Sequence, residues 1–145
     1  MTDVKKYLSQ IKRCDSRINA KLEESDRLKA MLTKITPTLR DVPSSGNSGQ
    51  DKFSDAMAKL VDLDAEIDRE IDSLVDARKS VVGTIDKVTD TKMHEVLCKR
   101  YIEFKTWEQI AFEIGKSYQW TWSIHGRALQ VVEEILKKSE ENCSS

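Results

Sequence analysis

Thr106-Trp107-Glu108-Gln109-Ile110-Ala111-Phe112-Glu113-Ile114-Gly115-Lys116-Ser117, continuing Tyr118-Gln119-Trp120-Thr121-Trp122-Ser123-Ile124-His125-Gly126-Arg127-Ala128-Leu129, reads as a short helix, a turn and a longer helix. Thr106 and Gln109 stand three apart. That is the spacing of a capping box, in which each side chain satisfies a backbone N–H left over at a helix start. Trp107, Ile110, Ala111 and Ile114 fall on one face of the helix so opened. Gly115 follows, and a residue without Cβ suits the left-handed position that ends a helix. Ser117 can cap the second helix, whose inward stripe is predicted as Thr121, Ile124, Ala128, Val131 and Ile135. Ala111 is small where the two helices would cross, and Ile114 and Ile124 would close the core beneath the turn. A helix-turn-helix needs this pattern to present its second helix to a DNA major groove. An ordinary helical corner with a Gly turn needs no less.

Outward from this stretch the texture changes. Residues 90–138 hold all three Trp, both His, two of three Phe and two of three Tyr, which predicts a compact unit. Asp90 or Thr91 caps its first helix, carrying Met93, Leu97, Tyr101 and Phe104. The polar tail 139–145 is expected to be disordered. Upstream, Val4, Ile11, Ile18 and Leu32 recur at seven-residue spacing, interrupted at Ser25. Tyr7, Cys14, Leu28 and Ile35 make a second row, interrupted at Lys21, and Leu8 and Leu22 widen the seam. The period predicts one helix from Thr2 to Ile35, ended by Pro37. Residues 36–50, with Pro37, Pro43 and Ser44 through Gly49, read as a flexible linker. Phe53, Leu60, Ile67, Leu74, Val81 and Val88 then form an unbroken row, predicting a helix from Asp51 to Val88. Two seamed helices joined by a linker fold back on each other. The expected fold is therefore all-α: a long antiparallel helical hairpin, a coiled coil, over 1–89, followed by a helix-turn-helix domain over 90–138.

Composition agrees with long charged helices. Of 145 residues, 39% are hydrophobic, below the ~45–50% of ordinary domains, and 34% are charged against ~25%. With five Gly and two Pro, a β-sandwich and an α/β enzyme are disfavoured. Apolar runs never exceed three residues, so a membrane span of ~20 is excluded. The start, Met1 to Lys6, has no signal-peptide stretch, and three scattered cysteines suit a reducing, cytoplasmic setting without zinc spacing. The net charge of −1 hides a partition. Residues 1–50 carry ten Lys/Arg against six Asp/Glu, residues 51–90 six against eleven, and residues 91–145 eight of each. The opposed signs of the first two segments favour the hairpin. Leu8, Leu22, Met57, Ile71 and Ile85 lie beside the seam, and covering them predicts a homodimer through paired hairpins.

No phosphate loop, nucleophile elbow or His-Glu zinc spacing is present, so the chain is read as a non-enzyme without metal or cofactor. The alternating acids Asp62, Asp64, Glu66, Asp68, Glu70 and Asp72 point to different faces of a helix and cannot converge on one ion. The candidate DNA-binding residues lie opposite the inward stripe of the second helix and around the turn. Gln119 and Arg127 suit bases or phosphates, and Ser123 suits a phosphate. Tyr118 and Ser117 stand at the helix start; Lys105 and Lys116, with Lys99 and Arg100, suit flanking phosphates. Trp122 either meets a thymine methyl or sugar, or packs on a neighbouring helix. Gly126 permits close approach of another backbone or is simply tolerated. Trp107 and Trp120 read as packing residues, and His125 as a hydrogen-bonding structural residue rather than a metal ligand.

Residues 97–129 resemble region four of bacterial sigma factors, the part that reads the upstream promoter element. The shared frame is Leu97, Arg100-Tyr101, Thr106 through Ala111, Ile114-Gly115, Ser117, Ile124 and Ala128-Leu129. The whole chain is similar to small Firmicute phage and prophage proteins with sigma-like helix-turn-helix domains. The similarity rests on the helical N-terminal half, Gln50-Asp51-Lys52, the block from Tyr101 and Phe104 to Ala111, and His125 through Leu129. That resemblance implies a regulator of the ArpU/RinA type acting on phage late-gene transcription. Its partners would be double-stranded DNA and RNA polymerase. Where sigma factors carry basic residues, this chain has Trp122 and Ser123. The alternative is a helical interaction protein that binds polymerase or another sigma factor without reading DNA.

Overall fold

A computed structural model describes residues 2–41 and 47–143. All regular structure among them is helical: α1 (Thr2–Leu8), α2 (Gln10–Asp41), α3 (Asn47–Ile85), α4 (Thr91–Leu97), a π-helical turn (Cys98–Ile102), α5 (Trp107–Ile114) and α6 (Tyr118–Cys143). The chain is all-α, as its periodicity predicts. No described helix is long and apolar enough to cross a membrane.

Helix boundaries differ from the sequence reading at several points, the end of α3 at Ile85 rather than Val88 among them. A turn at Ser9 separates α1 from α2, but helical hydrogen bonds run through it, from the Ser9 N–H to the Lys5 carbonyl at 2.9 Å and from the Arg13 N–H to the Ser9 carbonyl at 3.1 Å. Pro37 does not end α2, which continues to Asp41. Proline costs an interior helix one hydrogen bond but supplies a helical φ of its own, so the flanking turns carry the helix through. Of the expected linker 36–50, residues 42–46 lie outside the described residues, and α3 begins at Asn47. At the other end α6 runs past Lys138 to Cys143, into the tail 139–145 that the sequence reads as disordered; residues 144–145 of that tail lie outside the described residues. Ser139 returns its hydroxyl to the Ile135 carbonyl at 3.1 Å, and the following glutamates are good helix formers.

The chain divides into two compact units, residues 1–14 with 74–145, and residues 15–73. The sequence reading drew its boundary at 89/90, where the composition changes. Within the 15–73 unit, segments of α2 and α3 run antiparallel. Arg17 meets Glu70 at 3.2 Å and Lys21 meets Glu66 at 3.1 Å, so one number rises as the other falls. These partly exposed pairs are each worth under about 1 kcal/mol. Burial of Leu28, Leu63 and Ile67 is the larger contribution. Both interruptions of the sequence period fit the seam: Ser25 is buried within it, and Lys21 leans along it to reach Glu66.

The other unit is built around α6. Val4, Leu8 and Ile11 from the N-terminus, Val81, Ile85 and Val88, and Leu97 and Tyr101 enclose Ala128, Leu129 and Val132. Leu8, Val81, Ile85 and Val132 have no exposed surface. Leu8 and Ile85 are therefore part of this core and unavailable to a second hairpin. A two-helix hairpin in isolation would leave them bare; the core around α6 does not. Tyr7 ties the N-terminal helix to α3, its hydroxyl lying 2.6 Å from Ser80 Oγ and 2.9 Å from Thr84 Oγ1.

Candidate nucleic-acid interface

Local chemistry fixes the α5–α6 corner. Thr106 is the N-cap of α5: its hydroxyl accepts from the Gln109 amide at 3.2 Å, and the Gln109 side chain accepts from the Thr106 amide at 2.9 Å. The predicted capping box is complete. Gly115 ends α5 at φ 74°, the left-handed region that favours glycine, and its N–H donates to the carbonyls of Ala111 and Phe112. Ser117 caps α6 by accepting from the Trp120 amide at 3.0 Å. Its carbonyl accepts the Thr121 hydroxyl at 2.9 Å, which satisfies a fully buried side chain.

The inward face of α6 is rotated from the predicted stripe. Thr121 and Ala128 are buried as expected, but His125, Leu129 and Val132 complete the face, while Ile124, Val131 and Ile135 are half-buried. Ile110 and Ala111 of α5 are buried; Ile114 is half-buried. The floor of the corner is thus not Ile114 and Ile124. An imidazole sits there, held by three aromatic neighbours. His125 Nε2 lies 2.6 Å from the Tyr101 hydroxyl, with the two rings stacked at 5.7 Å. Trp107 approaches the imidazole edge-on at 4.5 Å. Burial pushes His125 down to about 4, with the cations of Lys5 and Arg100 adding to the effect. Burial likewise pushes Tyr101 up to about 12. Both groups are neutral near pH 7, and the phenol can donate to an unprotonated ring nitrogen. The structural, hydrogen-bonding reading of His125 holds.

The candidate residues divide into two sets. Tyr118, Gln119, Trp122, Ser123 and Arg127 are exposed on α6, where Gln119, Ser123 and Arg127 form one row at four-residue spacing. Ser117 and Lys116 stand at its start, Ser117 with its hydroxyl occupied as a cap. The Lys116 ammonium lies 5.4 Å from the Trp120 ring. Gly126 is half-buried, and a Cβ there would meet nothing within 4 Å, so no close backbone approach within the chain requires glycine. Lys105 belongs apart. Its ammonium lies 2.6 Å from one Glu113 oxygen and 3.5 Å from Glu103, and Glu113 also takes Lys99 at 3.3 Å. Hydrogen bonding to Glu113 raises the Lys105 pKa, and the same bond lowers that of Glu113. Lys99 and Lys105 offer less free charge than their sequence positions suggest.

Trp122 packs on a neighbouring helix, one of its two predicted roles, while remaining half exposed. Its ring meets Trp107 of α5 edge-on at 5.1 Å, and the Lys5 ammonium from α1 lies 5.5 Å from its centroid. Arg100 caps the Trp107 ring at 4.6 Å and donates to the Lys105 carbonyl at 3.0 Å. Arg100 and Tyr101 both belong to the π-helical turn, and both face one cleft. Between these groups lies a cleft of about 220 Å³, which Lys5, Ser9 and Lys12 also line. The contribution of residues 5–12 was missed from sequence. Its one signal is the excess of Lys5, Lys6, Lys12 and Arg13 over Asp3 in the first fourteen residues. Comparison of the chain with protein-family models, curated proteins and solved structures yields no match.

Proposed function

We propose that the chain is a cytoplasmic, sigma-like transcription regulator of phage or prophage type. It would dock α6 in the major groove of promoter DNA in company with RNA polymerase. The observation that carries this reading is the corner itself: two helices fixed by a capping box, a left-handed Gly115 and a capping Ser117, with Gln119, Ser123 and Arg127 in one exposed row. Such a row can reach base edges and phosphates from a groove-bound helix. The exposed Leu22, Met31, Met57, Val61 and Ile71 of the 15–73 unit support self-association as a homodimer. Sedimentation should then show a dimer at about tens of micromolar, and a monomer there would refute it. DNA reading is tested by promoter occupancy with and without polymerase. Arg127→Glu should cost about 1–3 kcal/mol of binding with helicity and melting unchanged. Unaltered occupancy in both settings would replace this reading with a second one, docking on polymerase or another sigma factor without DNA readout. That second reading has its own support: Phe112 on α5 is 88% exposed, an unusual position for a phenyl ring.

A further inference from the structure

We infer that the cleft between the N-terminal helices and the α5–α6 corner is a phosphate site, formed by Lys5, Lys12 and Arg100, that grips the DNA backbone beside α6. This rests on the DNA-reading proposal and assigns part of the interface to residues outside the corner. Lys5, Lys12 and Arg100, from two distant parts of the sequence, line one concavity together with Ser9. Among the described residues no carboxylate lines it. Four lysines of the same unit already have a carboxylate: Lys92 has Glu95, Lys99 and Lys105 share Glu113, and Lys137 has Glu133. Lys5 and Lys12 have no ion pair among the described residues. Like charges gathered without a counter-charge repel one another, and an anion between them relieves that cost.

Placement decides which anion. Trp122, on the proposed groove-facing side of α6, forms one wall, and Lys5 lies over its ring. A helix in the major groove passes close to the backbone on its flanks, so the nearest anion to this wall is a phosphodiester. The charge of the unit supports the same assignment. Residues 74–145 carry eleven Lys/Arg and eleven Asp/Glu, whereas residues 1–14 carry four and one. The N-terminal helices therefore supply the positive excess that the rest of the unit lacks. Trp107, capped by Arg100, lies beside Trp122 in the same lining, the two rings edge-on at 5.1 Å. Stacked guanidinium and indole fix the donor geometry without adding negative charge.

The test uses the full chain and a labelled DNA duplex of mixed sequence, with binding followed by fluorescence anisotropy across a salt series. Lys5 and Lys12 are exposed, so Lys5→Gln/Lys12→Gln leaves the core intact. The control Lys87→Gln/Lys138→Gln removes the same charge from two exposed lysines outside the cleft that likewise have no ion pair among the described residues. The cleft pair should weaken binding by about tenfold to hundredfold near 0.1 M salt and reduce the slope of log K against log salt by about one to two. The control pair should change the slope by much less. Equal effects of the two pairs would reduce the lysines to bulk charge and overturn the inference, as would an unchanged slope in the cleft pair. Both results leave DNA reading standing. Absence of any duplex binding by the unaltered protein at low salt overturns the two proposals together. Inorganic phosphate at millimolar concentration should compete weakly with duplex. If it alone quenches Trp122 fluorescence in a Lys12-dependent way while the duplex does not bind, the cleft takes free phosphate rather than DNA, and the inference fails.

Discussion

Acidification should destabilise the α5–α6 unit through one residue. In the folded chain His125 is 2% exposed and held down to about 4, against an ordinary value of 6.5. Burial is the main cause; Lys5 and Arg100 face the ring from α1 and the π-helical turn, and Tyr101 bonds its Nε2. The unfolded chain takes up a proton as pH falls through 6.5, and the folded chain does not until about 4. Stability is therefore fully present above the unfolded value and is lost downward across that window. Between pH 7 and pH 5 the loss from this residue is about 2 kcal/mol, and it reaches about 3 kcal/mol below pH 4. Urea unfolding followed by tryptophan fluorescence reports on this unit, because all three tryptophans lie in it. His125→Gln keeps a hydrogen-bond acceptor for Tyr101 but cannot titrate. The variant starts from a lower baseline, since it loses the stacked ring, yet should lose about 2 kcal/mol less than the parent on going from pH 7 to pH 5. All other titrating groups are common to both proteins and cancel in the comparison. Equal pH dependence in the two would refute the claim that a buried neutral imidazole supports the corner.

Three further outcomes follow from the local geometry. Thr106→Ala removes one half of the capping box and should cost about 1 kcal/mol in thermal or urea unfolding. Gly115→Ala should cost about 1 kcal/mol, all of it from the φ of 74°, since a Cβ meets nothing within 4 Å; Gly115→Asn should cost less, because Asn tolerates that region. Ile110→Ala, opening a cavity under α5, should cost about 2–5 kcal/mol, whereas Phe112→Gln two positions along should stay within about 0.5 kcal/mol.

The elements of the corner were legible because each is specified by a few adjacent residues. A Thr and a Gln three apart, a Gly after an apolar face, and a Ser before the next helix leave few local alternatives. The heptad rows were legible for the same reason, as Val4, Ile11, Ile18, Ile67 and Val81 are all buried where the period places them. What failed was what depends on distant partners. The inward stripe of α6 was drawn through Ile124 by favouring aliphatic residues, and nothing local says that His125 would be accepted instead. Its acceptance needs Tyr101, twenty-four residues earlier, to bond it and Trp107 to cover it. The π-helical turn also lacked a signal. Two residues beyond it Phe104 takes φ 59°, a left-handed position for which the sequence offers no glycine. The half-buried Phe104 ring packs against the core of the unit, and that burial offsets the strain.

The same reasoning explains why the charges of the candidate interface were misjudged. Summed by thirds of the chain, residues 91–145 are neutral, and the basic excess of the first fifty residues was assigned to one arm of a hairpin. Both sums are correct, but neither follows the fold. Packing joins residues 1–14 to 74–145, so Lys5 and Lys12 belong with α6, more than a hundred residues away, rather than with Glu66 and Glu70. Conversely, Lys99 and Lys105 stand close in sequence to the turn and looked available. The folded chain gives both to Glu113, which lies one helical stretch further on. A lysine's worth to a polyanion depends on whether a carboxylate already occupies it, and that is decided by tertiary packing. The hydrophobic burial of Val4, Leu8 and Ile11 against Leu129 and Val132 is what places Lys5 over Trp122. Leu8→Ala should therefore do two things at once: lower stability by about 2–5 kcal/mol by opening a cavity, and loosen the N-terminal helix from the cleft. Any DNA affinity that depends on Lys5 should fall with it at temperatures where the rest of the unit is still folded. Amide exchange across residues 3–11 reads that loosening directly, and unchanged protection there alongside weakened binding would separate the helix from the effect.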